Sequence, residues 1–196
     1  AAKTDGGGVL LLKPGSLALA AGGFVSDGTQ IADALKKLAK LGQSKDPNFP
    51  GVKFDAETYQ GVTFHTASIP LRTGQEEIRR VLGDPMDVVV GTGEKSAYVA
   101  FGQNATELLK SVLDGSKGSA DAVLPPGELK ISLTPVLEFA AAADDDAGLQ
   151  AALEALKAYD GSDDISVSIV PIEHGCDVRL QFEEGVLKAI GGAVKS

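Results

Sequence analysis

The feature that most constrains this chain is a local order that returns five times: alternating apolar segments with tight turns, then a helix carrying one apolar stripe, then glycine. The first instance is a strand over Ser16 to Phe24 and a helix from Gly28 to Leu41, whose Ile31, Ala34, Leu35, Leu38 and Leu41 fall on one face. Asp27 with Gln30 reads as a capping box and Gly42 as the stop. The second instance is Lys53 to Tyr59, a Gln60-Gly61 turn and Val62 to Ile69, followed by a Thr73/Glu76 box and a short helix ending at Gly83. The third is Asp87 to Val90, the turn GTGEK and Ser96 to Phe101. An Asn104/Glu107 box and a helix through Leu108, Leu109 and Val112, ending at Gly115, follow it.

In the fourth instance Leu129 to Phe139 reads as one strand, with Leu129, Ile131 and Leu133 alternating against Lys130, Ser132 and Thr134. An acidic connector leads to a helix from Ala147 to Tyr159, striped by Leu149, Leu153 and Leu156 and stopped by Gly161. The fifth pairs Ile165 to Ile172 with Asp177 to Phe182 across Glu173-His174-Gly175 and closes with a helix from Gly185 to Val194, with Gly191 near its end. In that hairpin Val178, Leu180 and Phe182 oppose Arg179 and Gln181, the pattern of a sheet with one wet face, which favours antiparallel pairing.

The terminal glycines are too unevenly spaced for a solenoid or propeller. The expected architecture is α+β: mostly antiparallel sheet built from hairpins, with helices packed on one face. Residues 1–8 are expected to be a flexible N-terminal segment, Gly6-Gly7-Gly8 and Gly22-Gly23 flexible connections, and 9–196 a single α+β domain. A division into two similar halves would be hinged near 116–128, where Gly, Ser and Pro concentrate.

Composition removes several classes of function. With 43% hydrophobic and 23% charged residues the chain has material for a core, and its formal charge of −9 repels nucleic acid over most of the surface. Lys13, Pro14 and Gly15 break the longest apolar region, Val9 to Val25, before it reaches the length of a membrane span. The chain opens on Ala1-Ala2 without methionine, compatible with a removed export signal or with an excised domain.

The segments GTGEKSAYVAFGQNATELLKSVLD and EHGCDVRLQFEEGVLKAIGGAV, together with GVTFHTASIPL, resemble segments of uncharacterised exported bacterial proteins. That resemblance implies an extracytoplasmic location, periplasmic or secreted, and carries no activity or site residue.

Reactive constellations are sparse. The elbow G-x-S-x-G is absent, and only His65 and His174 exist as bases or ligand contacts. His65 falls on the strand face opposite Phe64, where a partly exposed side chain with a local hydrogen bond is expected, and His174 on a turn, where a solvated one is expected. His174-Gly175-Cys176 lacks the second ligand pair of a zinc site, and Cys176 reads as a small strand residue. Asp144, Asp145 and Asp146 lack the spacing of a calcium loop and read as acids ahead of a helix, with Asp146 as cap. Gly91 to Ser96 leads into a strand, unlike a phosphate loop, and reads as a hairpin turn. The pairs Glu76/Glu77, Asp163/Asp164 and Glu183/Glu184 read as solvated surface rather than as facing glycosidase acids.

The expected function is a noncatalytic extracytoplasmic binding or structural domain, with no catalytic residue, metal or cofactor and with His65 and His174 as candidate ligand contacts. Its partner is an unknown protein or small ligand, with no nucleic acid and no membrane span in this chain, and its oligomeric state is open. The alternatives are a hydrolase with a dispersed site of His65, Glu57 and Asp55, a carrier holding a hydrophobic ligand between sheet and helices, and a self-associating structural subunit.

Overall fold

A computed structural model, which describes residues 6–46, 48–71, 74, 76–118 and 127–194, assembles the hairpin segments into two antiparallel sheets. The chain divides into two compact units at residues 120 and 121, apart from the turn 12–15, which is grouped with the second. The first unit runs β1 (Gly6–Lys13), β2 (Ser16–Phe24), α1 (Gly28–Lys45), β3 (Lys53–Tyr59), β4 (Val62–Ile69), α2 (Glu76–Leu82), β5 (Met86–Thr92), β6 (Ser96–Gly102) and α3 (Ala105–Gly118). Its sheet has the order β1-β2-β6-β5-β4-β3. The second unit holds β7 (Gly127–Ser132), α4 (Leu133–Ala141), α5 (Ala147–Lys157), β8 (Asp164–Ile172), β9 (Gly175–Phe182) and α6 (Glu184–Val194), with sheet order β7-β8-β9.

Strand alternation separates the faces of the larger sheet. Ala18, Ala20, Val62, Phe64, Val89 and Ala100 form one face and bury against Leu108, Leu109 and Leu113 of α3. Phe64, Leu109 and Val89 are its largest fully buried side chains. The next residue on each strand points the other way, and there Ile31 of α1 meets Ala21, Val90 and Val99. In the second unit the core is helical: Ala152, Leu156 and Ala189 pack with Leu133 and Leu137.

Several local expectations change. Gly6–Gly8 begin β1, and Gly22-Gly23 lie inside β2 opposite Tyr98 and Ala97, so neither triplet nor pair is a loose connection. The reason at Gly22 is packing: a Cβ there would lie 2.1 Å from Cδ1 of Tyr98, whose ring occupies the space. Gly42 stays within α1 because the Phe49 ring packs on it, and the helix ends instead at Asp46, whose amide donates to the Gly42 carbonyl. Gly115 and Gly191 also lie inside helices, whereas Gly83, at φ +90°, and Gly161 follow theirs. Asn104 has φ +59°, a left-handed turn rather than an extended cap. Thr73 lies outside the described residues, as does most of the 116–128 segment.

The segment Leu129 to Phe139 is not one strand. β7 ends at Ser132 and α4 starts at Leu133, because Asp163 supplies the acceptors that the first turn needs: its carbonyl accepts from the Leu133 amide at 3.2 Å and its carboxylate from the Thr134 amide at 2.5 Å. Pro135 then sits in the first turn, where a missing N–H is harmless. Asp27 and Asp146 cap α1 and α5, accepting from Thr29 and Leu149 at 2.9 Å each.

Candidate functional site

β4 turns Phe64 into the core and therefore turns Thr63 and His65 toward the face that α1 covers. His65 is only 2% exposed, contrary to the expected partly exposed position, because that second helix layer encloses it. Opposite it β3 bulges. Lys53 pairs with Thr66 and Glu57 with Phe64, so residues 54–56 stand against the single residue His65. Within the bulge Asp55 takes φ +52°, a left-handed conformation that a non-glycine residue adopts at some cost.

The bulge aims the Asp55 amide at the imidazole, and it donates to Nδ1 at 3.1 Å. A ring nitrogen that accepts an N–H carries no hydrogen, so the neutral ring holds its proton on Nε2 and donates it to Oγ1 of Thr92, 3.0 Å away. Thr92 is itself buried, and the Phe54 ring lies 5.7 Å from the imidazole. Burial pushes the His65 pKa below its ordinary value; the Asp55 carboxylate, 3.7 Å from Nδ1, pulls up more weakly, and Lys36 adds a small downward push. The ring is held neutral with both nitrogens engaged.

His65, Asp55 and Thr92 are the three residue types of a nucleophile–base–acid relay, but they are wired in the opposite sense. In a working relay Nδ1 donates to the carboxylate and Nε2 accepts from the hydroxyl. Here Nδ1 accepts from the backbone and Nε2 donates, so the ring has no lone pair to take the Thr92 proton. Glu57, the third member of the dispersed site considered from sequence, is not with them: it pairs with Lys110 of α3 at 2.9 Å. His174 is 90% exposed on the β8–β9 turn, with its Nε2 3.9 Å from Glu173. Among the described residues, no three His, Cys, Asp or Glu side chains gather as a metal site would, and no helix is long and apolar enough to cross a membrane.

His65 and Thr92 line a polar cleft of about 370 Å³ between α1 and the sheet. Its polar lining also includes Thr29, Asp33 and Lys36 of α1, Asp55, Thr63 and Glu94, three carboxylates against one ammonium, and Gly28, Ala32, Gly61 and Gly93 make up the rest of the wall. The start of α1 is pinned to the β5–β6 turn: the Gly28 amide donates to the Glu94 carbonyl at 3.0 Å, and any Cβ at Gly28 would lie 1.9 Å from the Gly93 carbonyl oxygen. The segment Gly91 to Ser96 thus serves as the end of β5, a hairpin turn and the anchor of one cleft wall. A second, apolar recess of about 340 Å³ lies between Ile31 of α1 and Ala21, Val90 and Val99.

Sequence reasoning missed Thr92, Lys36 and the bulge. The alternation Val88, Val90, Thr92 places Thr92 on one face, but only the register that sets His65 opposite Val90 and Thr63 opposite Thr92 brings it to the ring. The chain matches no protein-family model, and comparisons with curated proteins and with solved structures return no match.

Proposed function

We propose that this chain is a noncatalytic extracytoplasmic binding module whose ligand seat is the polar cleft beneath α1. The observation that carries the reading is the wiring of His65, which is neutral, buried and committed through both nitrogens. Such a ring braces a cleft wall and has no capacity left for proton transfer. The cleft combines Thr29 and Thr63 hydroxyls with the carboxylates of Asp33, Asp55 and Glu94 and the ammonium of Lys36, a lining that suits a small polar molecule bearing an amine. The resemblance to exported bacterial proteins supports the location outside the cytoplasm.

The test is titration of free amino acids and small diamines into the protein, followed by amide NMR. Saturable shifts at Thr63, Thr92 and Gly93 that vanish in Thr63→Val and Asp33→Asn are expected. An ester or amide substrate turned over by the wild type and not by His65→Gln would replace this reading with the hydrolase. The apolar recess favours one second reading, a carrier of hydrophobic ligand, which predicts instead that a fatty acid shifts the amides of Ala21 and Val99.

A further inference from the structure

The buried floor of the polar cleft carries a hydrogen-bond donor that the protein itself does not use. Oγ1 of Thr92 accepts the Nε2 hydrogen of His65, so the hydrogen of the hydroxyl is directed away from the ring, and no group among the described residues accepts it. Thr92 is only 8% exposed and lines the cleft, which is where that hydrogen points. An unmet buried donor is costly, and an anionic acceptor meets it best, because charge-assisted bonds are about twice as strong as neutral ones. His65 thereby sets the direction in which Thr92 donates.

The charged groups of the cleft are equally uncommitted. Asp33, Lys36 and Glu94 form no ion pair among the described residues, and the Asp55 carboxylate faces the neutral His65 ring, 3.7 Å from Nδ1. Thr29, Asp33 and Lys36 share one face of α1, with Lys36 about 10 Å along the axis from Thr29. Glu94 stands at the Thr29 end, where its carbonyl accepts from the Gly28 amide, and Lys36 lies close enough to His65 to act on its charge. One wall therefore offers both signs, separated along the helix.

We propose that the ligand is a basic amino acid, its carboxylate held by the Lys36 ammonium and the Thr92 hydroxyl and its ammonium groups facing Asp33, Asp55 and Glu94. This rests on the reading of the cleft as a seat for an amine and adds the anionic half of the ligand. With two cations and one carboxylate such a molecule gives every charge of the cleft a partner of opposite sign, and its size suits a cleft of about 370 Å³. A diamine brings more positive charge but nothing for Lys36 or Thr92 to bind.

Calorimetric titration of the full chain with L-lysine and with cadaverine, which is lysine without its carboxylate, tests the assignment. General attraction to the acidic cleft favours cadaverine, so a carboxylate seat shows as a reversal: lysine is expected to bind about tenfold more tightly. Lys36→Gln, at an exposed position, and Thr92→Val are each expected to abolish that preference while cadaverine binding stays or tightens. Should Thr92→Val not fold by far-UV circular dichroism, Lys36→Gln supplies the comparison. Cadaverine bound as tightly as lysine by the wild type overturns the carboxylate seat and leaves the amine seat standing. A lysine preference that survives in either folded variant does the same. Binding of neither compound at about 10 mM overturns both readings.

Discussion

Replacing His65 by three residues separates its two hydrogen bonds. His65→Asn keeps an acceptor near the position of Nδ1 for the Asp55 amide and gives up the bond to Thr92. His65→Gln keeps a donor near Nε2 and gives up the acceptor, and His65→Ala removes both. An unpaired amide costs about 1–3 kcal/mol when buried, with the lower part of that range applying to the partly buried Asp55 N–H, and Ala also leaves a void that adds a cavity term. The expected losses are about 1 kcal/mol for Asn, about 2 for Gln and about 2–4 for Ala. Gln exceeds Asn because it leaves the Asp55 amide, fixed in the bulge, without an acceptor, whereas Asn strands only the Thr92 hydroxyl, which can rotate to another partner; any relief of the φ +52° backbone at Asp55 offsets part of the Gln loss. Urea unfolding gives the order, and hydrogen exchange gives the location. The Asp55 amide should exchange about 5- to 30-fold faster in Gln and Ala and near the wild-type rate in Asn. Equal exchange in all three variants would refute the assignment of Nδ1 as the acceptor.

Three further outcomes follow from the same structure. Because the folded-state pKa of His65 is depressed, the unfolded chain takes up a proton first as pH falls below the ordinary 6.5; urea stability of the first unit should therefore decline below that pH, with a shallower decline in His65→Gln. In the second unit the Lys130 ammonium and the hydroxyls of Ser132 and Ser162 hold Asp164 at a pKa of about 2 against an ordinary 3.8. Its contribution is therefore complete above pH 3.8 and lost as pH falls toward 2; screening reduces it to about 1 kcal/mol, which an acid titration of Asp164→Asn should lack. Gly22→Ala must displace the Tyr98 ring and is expected to cost about 1–3 kcal/mol in thermal unfolding, much of it recovered when Tyr98 is also shortened to Leu.

The hairpin grammar was legible because each hairpin announces itself locally, through alternation and a turn such as Gln60-Gly61 or Glu173-His174-Gly175. Sheet order was not, since β2 pairs with β6 and β4 with β5 across intervening helices that no periodicity links. The glycines were ambiguous for a related reason: Gly83 stops a helix through its own φ, while Gly22 and Gly42 exist for the rings of Tyr98 and Phe49, which arrive from distant positions. The start of α4 was hidden because its acceptors come from Asp163, far along the chain. His65 was placed on the correct side of β4, opposite Phe64. Its burial depended on α1 closing over that side, and its protonation on a bulge in β3 that the segment Phe54-Asp55-Ala56 does not advertise.

The reading of His65 as a brace rather than a base rests on which ring nitrogen bears the hydrogen. Long-range ¹H–¹⁵N correlation of the imidazole at neutral pH observes this directly. A bare Nδ1 and a protonated Nε2 are expected, with a cross-hydrogen-bond coupling from the Asp55 amide. A protonated Nδ1 facing the Asp55 carboxylate, with Nε2 bare toward Thr92, would contradict it and leave an assembled general base in the cleft.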